Sequence, residues 1–442
     1  MNLKDPSLNQ DRRNFVKKSS LLAGGIIASP LLSQANFFSS YDDTIKVALI
    51  GCGGRGTGAA VQALSTKQNV QLIAMADAFK DRLDDSHKNI LEALEGKKDR
   101  LNVKEENKFV GFDGYKHAIA LADVVILATP PGFRPIHFEE AVNQNKHIFM
   151  EKPVATDPAG IQRVLAAAEK AKSKKLNVVV GLQRRYQNSY RELIKRVHDG
   201  AIGDIVAAQA WWNNDGVWVH PRQPGWTEME YQMRNWYYFV WLCGDHITEQ
   251  HIHNLDVINW AIGDYPVKAQ GMGGREIRTG KDFGQIFDHH YVEFQYGNGA
   301  VLNSQCRHQE GTMSKVDELL IGTKGKVFCG DARIMDTKGR LIYQFDKSKE
   351  NQPYQTEHDE LFDAVARSEY KFHDAERAAK STMTSILGRL ATYSGQEIEW
   401  DKAINSGLNI MPSSFGFDAV PPVLPNGDGH YPIPVPGITK YI

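Results

Sequence analysis

The chain reads as an α/β protein, with an N-terminal doubly wound parallel sheet and then an α+β domain built on an open, mostly antiparallel sheet. Three observations predict it. The β-branched run Ile45–Ile50 meets a glycine cluster, Gly51-Cys52-Gly53-Gly54-Arg55-Gly56, and an alanine-rich helical stretch follows. Apolar runs at Val70–Asp77, Ala122–Ala128, His147–Met150 and Asn177–Val180 recur between helical segments, as buried parallel strands do. Beyond residue 290 the pattern changes to alternating runs punctuated by Tyr296-Gly297-Asn298-Gly299 and Gly322-Thr323-Lys324-Gly325, which suit antiparallel strands.

The composition allows two cores. Of 442 residues, 42% are hydrophobic and 24% charged, and a net charge of -1 gives no general attraction to nucleic acid. Four cysteines, Cys52, Cys243, Cys306 and Cys329, stand too far apart for a metal-ligand pair and are too few for a disulfide framework. At the start, Asp11-Arg12-Arg13-Asn14-Phe15 is a twin-arginine signature, followed by an apolar run from Leu21 to Leu32 and a small-residue exit near Ala35. That run is too short to remain as a bilayer span. Residues 1–35 are therefore expected to be an export signal, with the mature protein in a bacterial periplasm and no permanent membrane anchor.

The glycine cluster suits a pyrophosphate. Gly51 permits the tight turn, Gly53 lets the backbone approach the phosphates, and Gly56 lets helix and strand pack closely. Gly54 and Arg55 complete the loop at a helix N-terminus, whose free N–H groups attract an anion. Asp77 ends the second strand about 20 residues on, where a carboxylate accepts the ribose hydroxyls and repels a 2′-phosphate. NAD is thus expected rather than NADP. Twin-arginine export carries folded proteins and NAD is a cytoplasmic metabolite, so the dinucleotide is expected to be tightly held. Because ligands sit beyond the carboxyl ends of such strands, Thr129, Pro130, His137 and Lys152 should converge near the nicotinamide. The cofactor domain is expected to span 44–180.

In this order, the glycine loop, Asp77, Thr129-Pro130 and Glu151-Lys152-Pro153 resemble the glucose-fructose oxidoreductase and inositol dehydrogenase family, Gfo/Idh/MocA. The resemblance runs from about Lys46 to Trp400. It implies a Rossmann domain paired with an open-sheet domain, oxidation of sugar or cyclitol carbons with a nicotinamide cofactor, and a motif lysine against the reacting hydroxyl. Glu151 and Lys152 then flank the cofactor, and Arg184, Arg185 and Tyr186 line the cleft. An ammonium at Lys152 would stabilise the alkoxide that forms as hydride leaves.

The second domain is expected over 181–411. A helix near Ser189–Asp199 leads to a strand, Ile205–Asn214, that ends in Trp212 and Asn213. Trp218 follows in a loop, and Tyr237 lies in the aromatic cluster Asn235–Trp241. Aromatic faces and amides of this kind suit a carbohydrate. Gly244–Trp260 reads as one helix that carries Asp245, His246, Glu249, His253 and Asp256 on one face. The family usually spaces an aspartate, a histidine and a second aspartate here. Glu249, His253 and Asp256 occupy those positions, with the first acid one methylene longer. His253 is expected to be the general base, Glu249 its orienting partner, and Asp256 and His289 substrate contacts.

No complete metal-ligand set can be read. His246 and His253 would lie about 10.5 Å apart along a helix, too far for one ion, and no metal is expected. The alternating runs at 291–294, 300–306, 318–321 and 325–329 read as a meander whose open face, in the family, often forms a homo-oligomer. Helices near Glu357–Arg367 and Ala375–Ser394 follow, the second amphipathic and packing back across the domains. The proline-rich tail, 412–442, is expected to be an extended strap.

The function expected is that of a periplasmic, NAD-dependent oxidoreductase that takes hydride from a secondary hydroxyl of a sugar or glycoside. An NAD-dependent glycosidase that works by oxidation, elimination and re-reduction is the alternative. Lys152 favours the first reading and, with His253, disfavours a silent sugar-binding protein.

Overall fold

The computed structural model describes residues 43–441. The expected export signal over residues 1–35 lies outside them.

Six parallel strands form the first sheet: β1 (Ile45–Ile50), β2 (Val70–Asp77), β3 (Lys108–Val110), β4 (Val124–Leu127), β5 (His147–Met150) and β6 (Val178–Val180). Their order is β3-β2-β1-β4-β5-β6, so the chain reverses direction across the sheet between β1 and β4. The register aligns Ile50 with Ala76 on one side and with Leu127 on the other, which brings the glycine loop, Asp77 and Thr129 to one edge. Apart from exposed Lys46, the residues of β1, β4 and β5 are buried on both faces, as a helix-covered parallel sheet requires.

The second sheet has nine strands in the order β14-β13-β12-β11-β7-β10-β9-β8-β15. In chain order these are β7 (Ile205–Asn214), β8 (Pro266–Gly274), β9 (His289–Tyr296), β10 (Val301–His308), β11 (Lys315–Gly322), β12 (Gly325–Phe328), β13 (Arg333–Asp336), β14 (Leu341–Gln344) and β15 (Ile398–Glu399). The expected meander is interrupted. β7 lies between β10 and β11, parallel to the first and antiparallel to the second. The loop 309–314 must therefore cross one strand, a gap of about 9.6 Å that six residues span easily. Nothing local separates such a crossing from a hairpin.

Helix Ala375–Ser394 is not amphipathic. It packs between helix Pro158–Ser173 and strands β8 and β9, and it is buried at almost every position after Arg377. Some of its hydroxyls are satisfied within the helix: Thr382 donates to the Ala378 carbonyl at 2.8 Å and Ser394 to that of Leu390 at 2.7 Å. Helix Pro353–Ala366 returns to the first sheet, where Leu361, Phe362 and Val365 share a core with Val47, Leu49 and Phe149. Residues 405–441 form no helix or strand. They cross both domains: Ile410 N–H donates to Asp157 at 2.8 Å, the Phe417 ring lies 5.1 Å from that of Phe112 and 5.2 Å from that of Phe79, and the Phe417 carbonyl accepts from the Thr227 hydroxyl at 2.6 Å. Among the described residues, no helix is long and apolar enough to cross a membrane.

Candidate active site

Two adjoining cavities open at the carboxyl edge of the first sheet. The larger, about 560 Å³, is lined by the glycine loop, Asp77, Phe79, Thr129, Pro130 and His137, and by Trp218, Trp236 and Arg234 from the second domain. Gly51 has φ +94°, and a Cβ there would sit 2.4 Å from the Thr129 nitrogen. A Cβ on Gly56 would meet the Gly51 carbonyl oxygen at 2.0 Å. Both positions demand glycine. At Gly53 and Gly54 a Cβ would meet no atom within 4 Å, so their faces are open.

Helix Gly54–Ser65 begins at Gly53 without a side-chain cap and has no acid in its first turn. Its leading N–H groups thus face the cavity as an anion site. Asp77 is held by two backbone donors, Cys52 N–H at 2.7 Å and Phe79 N–H at 2.9 Å. Burial raises its carboxyl from the ordinary value, and those two donors pull the other way. An uncapped helix, a cradle that side chains would fill and a carboxylate at the end of β2 fit a dinucleotide.

His137 accepts or donates to the Thr129 hydroxyl through Nδ1 at 3.1 Å. Burial first, then the charges of Arg134 and Arg163, push it down to about 3, so it is neutral. Arg134, which sequence reasoning missed, is buried and lines the smaller of the two cavities. It donates to the Glu151 carbonyl at 2.9 Å and to the Thr129 carbonyl at 2.6 Å, tying the ends of β4 and β5 together.

The smaller cavity, about 320 Å³, shares Arg55, Ala128, Thr129 and Trp236 with the first. Glu151, Lys152, Trp212, Glu249, His253 and Tyr354 also line it. Lys152, just before a cis proline at 153, donates to Glu249 Oε1 at 2.9 Å and to the Glu249 carbonyl at 2.6 Å. Arg55 pairs with Glu151 at 2.5 Å. His253 lies against Trp212, with ring centroids 5.9 Å apart and planes 23° from parallel. Burial, and then the charges of Lys152, Arg184 and Arg55, hold His253 well below the usual histidine range. It is a neutral imidazole whose Nδ1 has no hydrogen-bond partner among the described residues. A neutral ring beside an ammonium can take a hydroxyl proton while the ammonium holds the oxygen.

Gly244–Trp260 is not one helix. Asp245 has φ +71°, a short helix spans His246–Glu249, the chain turns at Gln250 and His251, and a second helix runs Ile252–Ile262. The five residues expected on one face therefore point three ways. Glu249 and His253 reach the cavity. Asp245 and His246 turn into the core towards β9. Asp256 is taken by Arg185 through two bonds of 2.7 and 2.9 Å and by the Ser381 hydroxyl at 2.7 Å.

Other expected substrate contacts are similarly engaged. Arg184 pairs with buried Glu318, and the Tyr186 hydroxyl donates to Asp374 at 2.7 Å. Asn213 is buried and donates to Gln305 at 3.2 Å. His289 pairs with Asp288 at 2.7 Å and lines neither cavity. Trp218 lies in the larger cavity rather than the smaller. Tyr237 is buried against His308, at 5.9 Å between centroids, with no partner for its hydroxyl among the described residues. Tyr354 enters the site from a helix some 200 residues downstream of Lys152, with no spacing signal to mark it.

Comparison with known proteins agrees with this architecture. Residues 45–180 match the family described as "Oxidoreductase family, NAD-binding Rossmann fold", and residues 190–328 match the "GFO/IDH/MocA C-terminal domain". The chain is 24% identical over 294 residues to an inositol 2-dehydrogenase of Rhizobium meliloti, which covers 66% of this chain and 77% of that one. It is also 24% identical over 210 residues to the 2,7-anhydro-N-acetylneuraminate hydratase of Escherichia coli, and the match spans about half of each, 47% and 51%. A solved scyllo-inositol dehydrogenase of Lactobacillus casei with bound NAD(H) and scyllo-inositol superposes with a TM-score of 0.60 at 20% identity, over 81% of this chain and all of that one. The chain belongs to the Gfo/Idh/MocA oxidoreductase family.

Proposed function

We propose that this protein is an NAD-dependent oxidoreductase that takes hydride from a secondary hydroxyl of a sugar, polyol or glycoside. The observation that carries this reading is the convergence of Lys152, Glu249 and His253 on a cavity that shares a wall with the dinucleotide-shaped one. Gly53, Gly54 and the helix N-terminus would hold the pyrophosphate, Asp77 the adenosine ribose, and Thr129 and Pro130 the nicotinamide end; the nicotinamide supplies the hydride acceptor. Lys152 holds the substrate oxygen and stabilises its developing charge, His253 takes its proton, and Glu249 fixes the Lys152 ammonium. Trp212 offers an apolar face for the ring.

Asp77 favours NAD over NADP. Retention of the cofactor is supported by the second domain's roof over the larger cavity: Arg234 pairs with Asp81 at 3.0 Å and lies 4.1 Å above the Phe79 ring. The twin-arginine signature supports a periplasmic site of action, and the face of the second sheet that exposes the paired residues Met272 and Tyr291 supports a homo-oligomer. Mass spectrometry of sugars, polyols and glycosides incubated with the purified chain tests the activity. A product lighter by two hydrogens is the expected result; no such product from any of them contradicts it.

A further inference from the structure

Behind the reaction cavity, on the far side of the short helix His246–Glu249, three ligand-type side chains meet in a fully buried spot. Asp245, His246 and His290 can each bring one ligand atom within 4.8 Å of the others. Asp245 and His246 are 0% exposed and His290 is 3% exposed. Proton counting shows what this spot lacks. Asp245 Oδ1 accepts from the His246 backbone N–H at 2.5 Å and from His246 Nδ1 at 2.8 Å. A carboxylate accepts only, so the His246 proton is on Nδ1 and the Nε2 lone pair is free. Nε2 of His246 has no hydrogen-bond partner among the described residues.

His290 repeats the pattern. His290 Nδ1 lies 2.9 Å from the Thr392 hydroxyl, whose own proton can go to the carbonyls of Gly388 and Arg389 at 3.1 and 3.0 Å, which leaves that oxygen free to accept from Nδ1. With the proton on Nδ1, the lone pair of His290 Nε2 faces Asp245 Oδ2 at 3.4 Å. Oδ2 already receives the Phe287 N–H at 2.9 Å and the Tyr393 hydroxyl. In that tautomer a cation between the two atoms would hold them together, and His290 Nε2 has no hydrogen-bond partner among the described residues. Ligand bonds of about 2.0–2.2 Å at a tetrahedral angle place neighbouring ligand atoms about 3.3–3.6 Å apart, which matches the observed gap.

We propose that Asp245, His246 and His290 bind a divalent transition metal of the zinc class as a buried three-ligand site. The mixed imidazole and carboxylate set suits such an ion. The site ties β9 to the start of the helix whose last residue, Glu249, receives the Lys152 ammonium. It would thereby brace the reaction cavity from behind without touching substrate. The ligands come from segments some 45 residues apart, so no spacing motif announces them.

Elemental analysis of the full chain tests this independently of any activity. Protein exposed to zinc sulfate and then desalted should carry close to one equivalent of zinc, and cobalt in its place should give the visible absorption of a low-coordinate cobalt site. His290→Ala should lose the metal, whereas His289→Ala, one residue away on the same strand, should keep it. Wild-type protein that carries no zinc after this loading overturns the proposal, as does a folded His290→Ala variant that retains a full equivalent. The wild-type measurement decides the matter alone if His290→Ala does not fold.

Discussion

The Lys152 ammonium donates to Glu249 Oε1 at 2.9 Å across the interface of the two domains, with both side chains 13% exposed. A lysine fixed in this way presents its charge in one place, which is what stabilising a developing alkoxide requires. Lys152→Met should lower kcat about 10²–10⁴-fold while leaving the bound nucleotide in place. Glu249→Gln keeps an acceptor for the ammonium and should cost less. Single-turnover rates together with nucleotide content check both.

His253 is the base in this account, and its neutral state follows from burial and from the charges of Lys152, Arg184 and Arg55. His253→Asn should fold, keep its nucleotide and lose most of its turnover. Its residual rate should rise with pH, as hydroxide replaces the missing base. A pH–rate profile of the variant against wild type checks this.

The glycine loop separates folding from binding. Gly51→Ala forces a side chain into φ +94° and a 2.4 Å contact with Thr129, so it should destabilise the chain by at least about 1–3 kcal/mol. Gly53→Ala has φ -73° and meets no protein atom within 4 Å. It should fold normally and bind NAD weakly, because its methyl enters the space the phosphates need. Thermal melts and nucleotide content of the two variants make the comparison.

Much of the fold is legible locally because its signals are local. The turn at Gly51, the acid at Asp77 and the Lys152 that follows β5 are each fixed by residues within a strand and its loop. The lost signals are those set by distant partners. Arg184, Asp256 and Tyr186 look like cleft residues in isolation, but Glu318, Arg185 and Asp374 claim them from 134, 71 and 188 residues away. The break at Asp245 was hidden for the same reason. Its carboxylate is held by Phe287 N–H and Tyr393, which outweigh the helical periodicity of the stretch. Arg134 and Tyr354 reach the site through tertiary packing alone.

Buried neutral histidines set an acid limit on stability. His137 and His251 are pushed down to about 3 and His147 to about 4, chiefly by burial. His147 Nδ1 accepts the Asn177 N–H at 2.9 Å, so protonation would break that bond. Unfolded histidines bind protons below pH of about 6.5, whereas these do not until about 3–4, so the unfolded state gains protons first as pH falls. Stability should therefore drop between about pH 6.5 and 4, with a slope approaching about 1.4 kcal/mol per pH unit for each group. Denaturant melts across this range check it.

Arg234→Ala removes the bridge to Asp81 over the larger cavity. That pair is partly exposed, at 19% and 56%, so its contribution is small. Release of bound nucleotide should be about 2–5-fold faster, with the melting temperature little changed. Release into excess competing nucleotide, followed by fluorescence, measures it.

The most direct measurement follows a labelled hydride. Protein as purified, with no nucleotide added, is mixed with sugars and polyols that carry deuterium at their secondary carbinol carbons, and the nucleotide is extracted and weighed. One nucleotide per chain is expected, with deuterium on its nicotinamide ring after incubation with the right substrate. Bound nucleotide that never acquires deuterium, or protein that carries and binds none, would contradict it.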